Sequence, residues 1–317
     1  MRRNGLAAVV AGAGTFAVLT VLFAWFLAAG VRGDHVGREA SRIIAGTGVA
    51  SELPDGRAAS AVHYSDRVAV LMYHHLQEEP ESGDILSPRQ LERQMELLAE
   101  HGFEVIGAEE YAAFALEGAK VPDNAVLLTF DDGYASFYEL AYPVLKRFGY
   151  PAIGFVIVSG IDQRDKPGIP KLTWDQMREM QRDGIAFMNH TYDLHAKKAD
   201  ASGKEVPLTD RQYLEDKDRS ETAEEYRKRV LDHLLLAEKR LSEELGNELK
   251  MLAFPYGYYT EDLVRIAREA GMEIMFSVKH GLASRKNEVA PRVNAGRSDM
   301  EPEEVIRILK ALGRDGM

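Results

Sequence analysis

The chain has 317 residues, 45% hydrophobic and 28% charged, which is enough to bury a substantial core in one large domain with accessories. A formal charge of -11 argues against a nucleic-acid partner, whose phosphates need a basic patch, and suits a neutral or cationic substrate. With no cysteine, disulfides, thiolate metal sites, thiol nucleophiles and a lipid-modified N-terminal Cys are excluded, so any metal ion must be held by His and carboxylate.

After Arg2 and Arg3, residues 6–30 carry no charge, and about 20 apolar residues suffice for a helix to cross a bilayer. The preceding arginines place the N-terminus in the cytoplasm and the remainder outside. A cleaved signal peptide is the rival, but its apolar region usually runs only about 7–15 residues. The expectation is therefore a membrane anchor over 1–30, single-pass, with an extracytoplasmic domain at the cell membrane and contact with the lipid bilayer through 6–30. Residues 31–65, rich in Gly, Ala, Ser, Asp and Arg without periodicity, read as a linker. The "GTG" at Gly46 to Gly48 lacks the third glycine, strand and helix of a nucleotide fingerprint.

From 66 to 317 short apolar runs alternate with amphipathic stretches. Strands are expected at "RVAVLMY", "AVLLTF", "PAIGFVIV", "GIAFMN", "LKMLAF", "EIMFSV" and "VAPRV". Helices are expected at "SPRQLERQMELLAEHG", "ASFYELAYPVLKRFG", "TWDQMREMQRDG", "AEEYRKRVLDHLLLAEKRLSEELG" and "TEDLVRIAREAG", several with a Ser or Thr cap and a closing Gly. Such alternation predicts an α/β fold with parallel strands, either a barrel or an open doubly wound sheet. The polar segment from Ala196 to Thr222 reads as a surface excursion.

The reactive side chains fall in one place on this map. His74 and His75 follow the first strand, Asp131 and Asp132 follow "AVLLTF", His190 follows "GIAFMN", and Pro255-Tyr256-Gly257 follows "LKMLAF". Each lies just past a strand's C-terminal end, the rim where barrels and open sheets build their sites. Alone, Asp131-Asp132-Gly133 would read as a turn. Together with "NHTYDLH", however, Asp132, His190 and His195 make a two-imidazole, one-carboxylate metal set, and Asp131 remains as the base for a water molecule activated by the ion. Neighbouring residues in a strand point to opposite faces, so both carboxylates share a site only if the turn at Gly133 breaks the alternation.

The pairing of "TFDDGY" with "HTYDLH" resembles the NodB-homology polysaccharide deacetylases of carbohydrate esterase family 4, over roughly Val68 to Val293. The resemblance implies a distorted (β/α)7 barrel of the polysaccharide deacetylase type and metal-dependent N-deacetylation of N-acetylglucosamine polymers. It gives Asp131 the role of base and Asp132, His190 and His195 that of ligands to a divalent metal ion, Zn2+ first, with Co2+, Ni2+ or Mn2+ as alternatives.

Two departures matter. Where the family carries an Arg before Pro-Tyr/Pro-Gly, this chain has Ala253 and Phe254, and Arg292 in "APRVN" is the candidate replacement. The family's late catalytic His is missing, and the early "VLMYHHL" resembles instead the permuted subgroup that deacetylates poly-β-1,6-N-acetylglucosamine; His74 is then the acid, with His75 second choice. Tyr256, or its backbone N–H, would help hold the oxyanion.

Peptidoglycan deacetylation is an alternative, since both substrates expose the same acetamide, and a carbohydrate-binding pseudoenzyme is another. A glycoside hydrolase fits poorly, because adjacent carboxylates cannot flank a bond at about 5–9.5 Å. His280 reads as a turn residue and "TWDQ" as a capping box, with Trp174 a lesser candidate for a sugar groove. His63, His101 and His233 lack motif partners.

Overall fold

The computed structural model describes residues 61–163, 165 and 167–315, so the proposed anchor and most of the linker lie outside the described residues. Among the described residues thirteen strands follow in chain order: β1 (Val68–Tyr73), β2 (Glu104–Val105), β3 (Ala125–Asp132), β4 (Ala152–Val156), β5 (Ile185–Asn189), β6 (Lys197–Ala199), β7 (Glu205–Pro207), β8 (Tyr213–Leu214), β9 (Arg219–Ser220), β10 (Met251–Ala253), β11 (Ile274–Phe276), β12 (Val289–Ala290) and β13 (Val293–Asn294). The α-helices are α1 (Pro88–Glu100), α2 (Ala108–Ala112), α3 (Tyr142–Phe148), α4 (Val158–Asp162), α5 (Trp174–Gln181), α6 (Ala223–Leu245), α7 (Glu261–Glu269) and α8 (Pro302–Asp315). No helix among the described residues is long and apolar enough to cross a membrane.

The helix starts follow cap chemistry. Ser87, Thr173 and Thr222 each accept from the backbone of a residue three positions on, a Gln or Glu whose side chain reaches back to the cap. The reading of "TWDQ" as a helix start therefore stands. Trp174 serves the core, donating from its indole to Asp162 at 3.1 Å and lying beneath the Arg240 guanidinium.

One parallel sheet runs in the order β12-β11-β10-β5-β4-β3-β1-β13, with β2 beside the first residues of β3. Its outer strands are consecutive in the chain, separated only by Pro291 and Arg292. A flat sheet would hold the edges of eight strands about 34 Å apart at ~4.8 Å spacing. Three Cα steps from Ala290 to Val293 span at most about 11 Å, so the sheet must curl until its edges meet. At the other end of that seam Val68 and Ala283 exchange backbone hydrogen bonds of 3.0 and 2.8 Å. The expected "VAPRV" strand is thus two short strands on opposite edges, because Pro291 lacks the N–H that a continuous ladder needs.

Side-chain alternation sorts the core. Val70, Leu127, Ile153, Phe155, Met251 and Phe276 fill the interior, joined by Tyr111 and Phe114 from the segment after β2. Leu71, Tyr73, Leu128 and Phe130 point outward and pack with Leu91, Leu98, Leu145 and Leu309 of the surrounding helices. Tyr64 is also buried, its hydroxyl donating to the Ala125 carbonyl at 3.0 Å, so the packed fold begins before residue 66. The 196–222 excursion forms two antiparallel hairpins, β6-β7 and β8-β9. They are tied down by Arg229 of α6, which bonds Glu221 and the carbonyls of Leu208 and Asp210.

Candidate active site

The interior face of β3 carries Ala125 and Leu127, then Thr129 and Asp131 at the next two positions of the same alternation. Arg292, in the link that joins the sheet's edges, enters the same space. Its Nη1 and Nη2 donate to the two oxygens of Asp131 at 2.8 Å each, Nη1 reaches Thr129 Oγ1 at 3.3 Å, and Nε donates to the Ser277 carbonyl at 2.9 Å. The guanidinium is fully buried. Burial opposes ionisation of Asp131, but Arg292, with His190 and His74, outweighs it and holds the carboxyl below the usual range. His74 Nε2 lies 3.9 Å from Asp131 Oδ2 on a third-exposed ring. His75 turns elsewhere, with Nδ1 2.8 Å from Ser136 Oγ and its ring against Tyr134.

The strand alternation breaks one residue earlier than the sequence predicts. Asp132 itself adopts φ 72°, followed by Gly133 at φ 68°, where a Cβ would stand 3.0 Å from Val156 Cγ1. The left-handed pair swings Asp132 toward the loop after β5.

That loop is held from several sides. Asn189, wholly buried, donates to Glu238 Oε1 at 2.8 Å and to the Leu234 carbonyl at 3.2 Å, and accepts from the Thr191 N–H at 2.7 Å. Thr191 sits at φ 71°, and its hydroxyl accepts from the Leu194 N–H. The turn brings the His190 and His195 rings to 4.9 Å, and their Nε2 atoms stand 3.4 and 3.2 Å from Asp132 Oδ1.

Does this triad suit a cation? His190 Nδ1 lies 2.7 Å from the Ala253 carbonyl, which can only accept, so Nδ1 carries a proton and Nε2 is the atom turned toward Asp132. Burial and His190 push His195 down to about 4, leaving it neutral at pH 7. Asp132 Oδ1 is buried without a hydrogen-bond partner. Burial opposes its charge, yet His190, His195 and His74 hold the carboxyl far below its usual value. One ligand atom from each residue, all within 4.8 Å of one another, is a set that fits a divalent metal ion.

The Pro255-Tyr256-Gly257 turn covers this set. Tyr256 takes φ 57° and Gly257 φ 64°, where any Cβ would meet Val278 at 2.5 Å. The Tyr256 ring lies 4.6 Å from that of His195, with the Lys197 ammonium 4.6 Å from its own centroid. The tyrosine stays exposed over 42% of its surface. The structure thus brings together Asp131, Asp132, His74, His190, His195, Tyr256 and Arg292. His63, His101, His233 and His280 stay apart from the cluster: His63 stacks on Phe103, His101 faces Lys310, His233 faces Tyr192, and His280 is exposed.

Sequence reasoning misses three contributors. Ala253 acts through its carbonyl and Glu238 through Asn189, which no motif announces. Lys171 donates to the Asp132 carbonyl at 3.0 Å and lies 3.7 Å from the centroid of Tyr134, with burial pushing its ammonium down to about 8. A Lys-Leu-Thr run before a capped helix gives no hint of that.

A rolled parallel sheet with carboxylates and histidines at its C-terminal rim is the kind of arrangement that a metal hydrolase uses. Residues 118–275 match the polysaccharide deacetylase family model, and the chain belongs to that family. The chain is 30% identical over 230 residues to the poly-beta-1,6-N-acetyl-D-glucosamine N-deacetylase of Escherichia coli K12, covering 68% of this chain and 34% of that protein. The Staphylococcus aureus MSSA476 protein of the same name is 26% identical over 195 residues, 61% of each chain. The chain therefore spans about a third of the one relative and three fifths of the other. Among solved structures, a de-N-acetylase from Aggregatibacter actinomycetemcomitans aligns with a TM-score of 0.69 at 25% identity, covering 77% of this chain and all of that one. His74 and Arg292 lie outside the segment matched by the family model.

Proposed function

We propose that the protein hydrolyses the acetamide of an N-acetylglucosamine-containing polysaccharide, of the poly-β-1,6-linked kind, releasing acetate. The observation that carries this reading is a fully paired, ionised Asp131 beside a triad whose Asp132 Oδ1 is buried and unpartnered. Asp132, His190 and His195 would hold a divalent ion, zinc first, which when bound polarises a carbonyl and makes water acidic enough to attack near neutral pH.

The remaining chemistry belongs to this chain's own side chains. Asp131, kept anionic by Arg292, accepts a proton from the attacking water. His74, 3.9 Å from Asp131, donates a proton to the departing nitrogen, so the C–N bond breaks to give a free amine and acetate. Tyr256, at the exposed edge of His195, stands where the acyl oxygen would be oriented. The permuted arrangement, with an early His and a late Arg, and the names of the curated relatives support the β-1,6-linked polymer over peptidoglycan.

The test is acetate release by the full-length protein on β-1,6- and β-1,4-linked N-acetylglucosamine oligomers, with and without chelator. Chelator-sensitive acetate, faster on the β-1,6 series, is expected. Preference for the β-1,4 series would favour wall peptidoglycan, and oligomer binding without acetate would make this a carbohydrate-binding pseudoenzyme. We also propose that residues 6–30 anchor the chain and that its domain faces outward. Protease digestion of the domain in intact cells is expected, and protection until lysis would overturn that topology.

A further inference from the structure

Beside the turn that carries Asp132 lies a cavity of about 340 Å³, lined by Tyr134, Gly160, Gln163, Ile169, Pro170 and Lys171, with Pro167 and Gly168 completing its rim. None of the side chains assigned to proton transfer or metal binding lines it. It is nevertheless built onto them. The Ala135 N–H donates to the Pro170 carbonyl at 2.8 Å, the Leu172 N–H donates to the Gly133 carbonyl at 2.9 Å, and Lys171 bonds the Asp132 carbonyl.

We propose that this cavity receives the sugar next to the one being deacetylated, and that Lys171 makes it select a neighbour that keeps its acetamide over one bearing a free ammonium. The inference rests on the deacetylase reading above. The volume falls at the small end of the roughly 300–1,000 Å³ typical of ligand pockets, which suits a single sugar unit. Gln163 offers an exposed amide to hydroxyls, and Ile169 and Pro170 offer an apolar wall to an acetyl methyl. Among the described residues that line the cavity, Lys171 alone carries charge. Its contacts are a backbone carbonyl and an aromatic face; the Asp132 carboxylate acts on it through space but makes no ion-pair contact with it, and that carboxylate is the one assigned to the metal ion.

Each turnover replaces a neutral acetamide by a cationic amine. Once made, that amine repels Lys171 whenever its sugar occupies the cavity. Two like charges about 7 Å apart, partly screened by salt, disfavour binding about tenfold. Lys171 therefore acts as a specificity residue, and free amines become spaced along the polymer on that side instead of accumulating in runs.

The experiment measures kcat/KM for acetate release from the central unit of three β-1,6-linked trimers with zinc-loaded full-length protein at pH 7. One trimer is fully acetylated, and the others carry a free amine at one end or the other. Wild type is expected to disfavour one of the two amine-bearing trimers about tenfold. Lys171→Gln should bring that ratio within about twofold of unity, whatever happens to the absolute rate, whereas Lys171→Arg should keep it. If Lys171→Gln does not fold, the wild-type ratio decides: it should shrink between about 0.05 and about 0.5 M salt. Equal rates in wild type, a ratio that survives Lys171→Gln, or a salt-independent ratio would each overturn the inference. Acetate from none of the trimers would refute the deacetylase reading and this inference with it.

Discussion

Asp131 and Asp132 are neighbours in the chain and opposites in their surroundings. Asp131 belongs to the sheet's seam, where Arg292 gives each of its oxygens a hydrogen bond. Asp132 belongs to the His190–His195 loop, where two imidazole Nε2 atoms lie 3.4 and 3.2 Å from an oxygen with no hydrogen-bond partner. Both are buried, and burying an unbalanced carboxylate is prohibitive. The chain gives one a permanent guanidinium and the other only imidazoles, which a bound cation would join as countercharge. A carboxylate with a fixed counter-ion is suited to exchange protons, and one without suits a metal ion.

The sharpest break of that comparison removes the external countercharge. Asp132→Asn should retain no metal after dialysis and release no measurable acetate, while Asp131→Asn should bind metal normally, as metal analysis of both proteins would show. Metal loss in the second variant would erase the division of labour. Next in size, Asp131→Asn should slow turnover about 10²–10⁴-fold with substrate affinity retained, the usual contribution of a general base.

Arg292→Gln tests the seam. It strands a buried carboxylate and should cost about 3–5 kcal/mol in denaturant unfolding. The pH dependence follows from the direction of the Asp131 shift. The folded carboxyl is held below its unfolded value, so its stabilisation is present above that value and disappears as the pH falls through the lower folded one. Without Arg292, burial dominates and the pKa rises, so the acid limb of kcat/KM should move to higher pH. An unmoved limb in a folded, active Arg292→Gln protein would show that Arg292 does not control the base.

The difference between the two regions also explains how far the sequence could be read. Asp131, Asp132, His190 and His195 were legible because strand ends and a tight loop place them by local chain geometry. Arg292 could be named only as a candidate, because its contact with Asp131 spans 161 residues and depends on the sheet's edges meeting at Pro291. Strand-helix alternation foretells parallel strands in either a barrel or an open sheet, and only the family resemblance chooses the barrel; the splitting of "VAPRV" into two edge strands follows from neither, since periodicity does not report which strand pairs with which. Gly133 was foreseen as the break in alternation, yet Asp132 already makes it: a non-glycine at φ 72° follows from tertiary contacts, not from propensity. Glu238 and Lys171 were invisible because each acts on the site through one intermediary, Asn189 and a backbone carbonyl respectively.

That indirect support gives the smallest effect and the finest test. The Asn189 side chain makes three hydrogen bonds, donating to Glu238 and to the Leu234 carbonyl and accepting from the Thr191 N–H. Asn189→Ala would leave the Thr191 N–H unsatisfied in the interior, at about 1–3 kcal/mol, while the Leu234 carbonyl keeps its place in the α6 ladder. It would also strip Glu238 of the contact that opposes burial, pushing a carboxyl already above its usual value higher still. Because Thr191 separates His190 from the rest of the loop at φ 71°, the lost N–H bond should loosen the imidazole's aim at Asp132. Zinc affinity, measured by competition with a chromophoric chelator, should then fall about 10–100-fold, the usual cost of removing a group that orients a metal ligand. A lower melting temperature with unchanged zinc affinity would assign Asn189 to the core alone. Loss of both would extend the metal-holding region outward to α6, making the loop as dependent on a distant carboxylate as the seam is on a distant guanidinium.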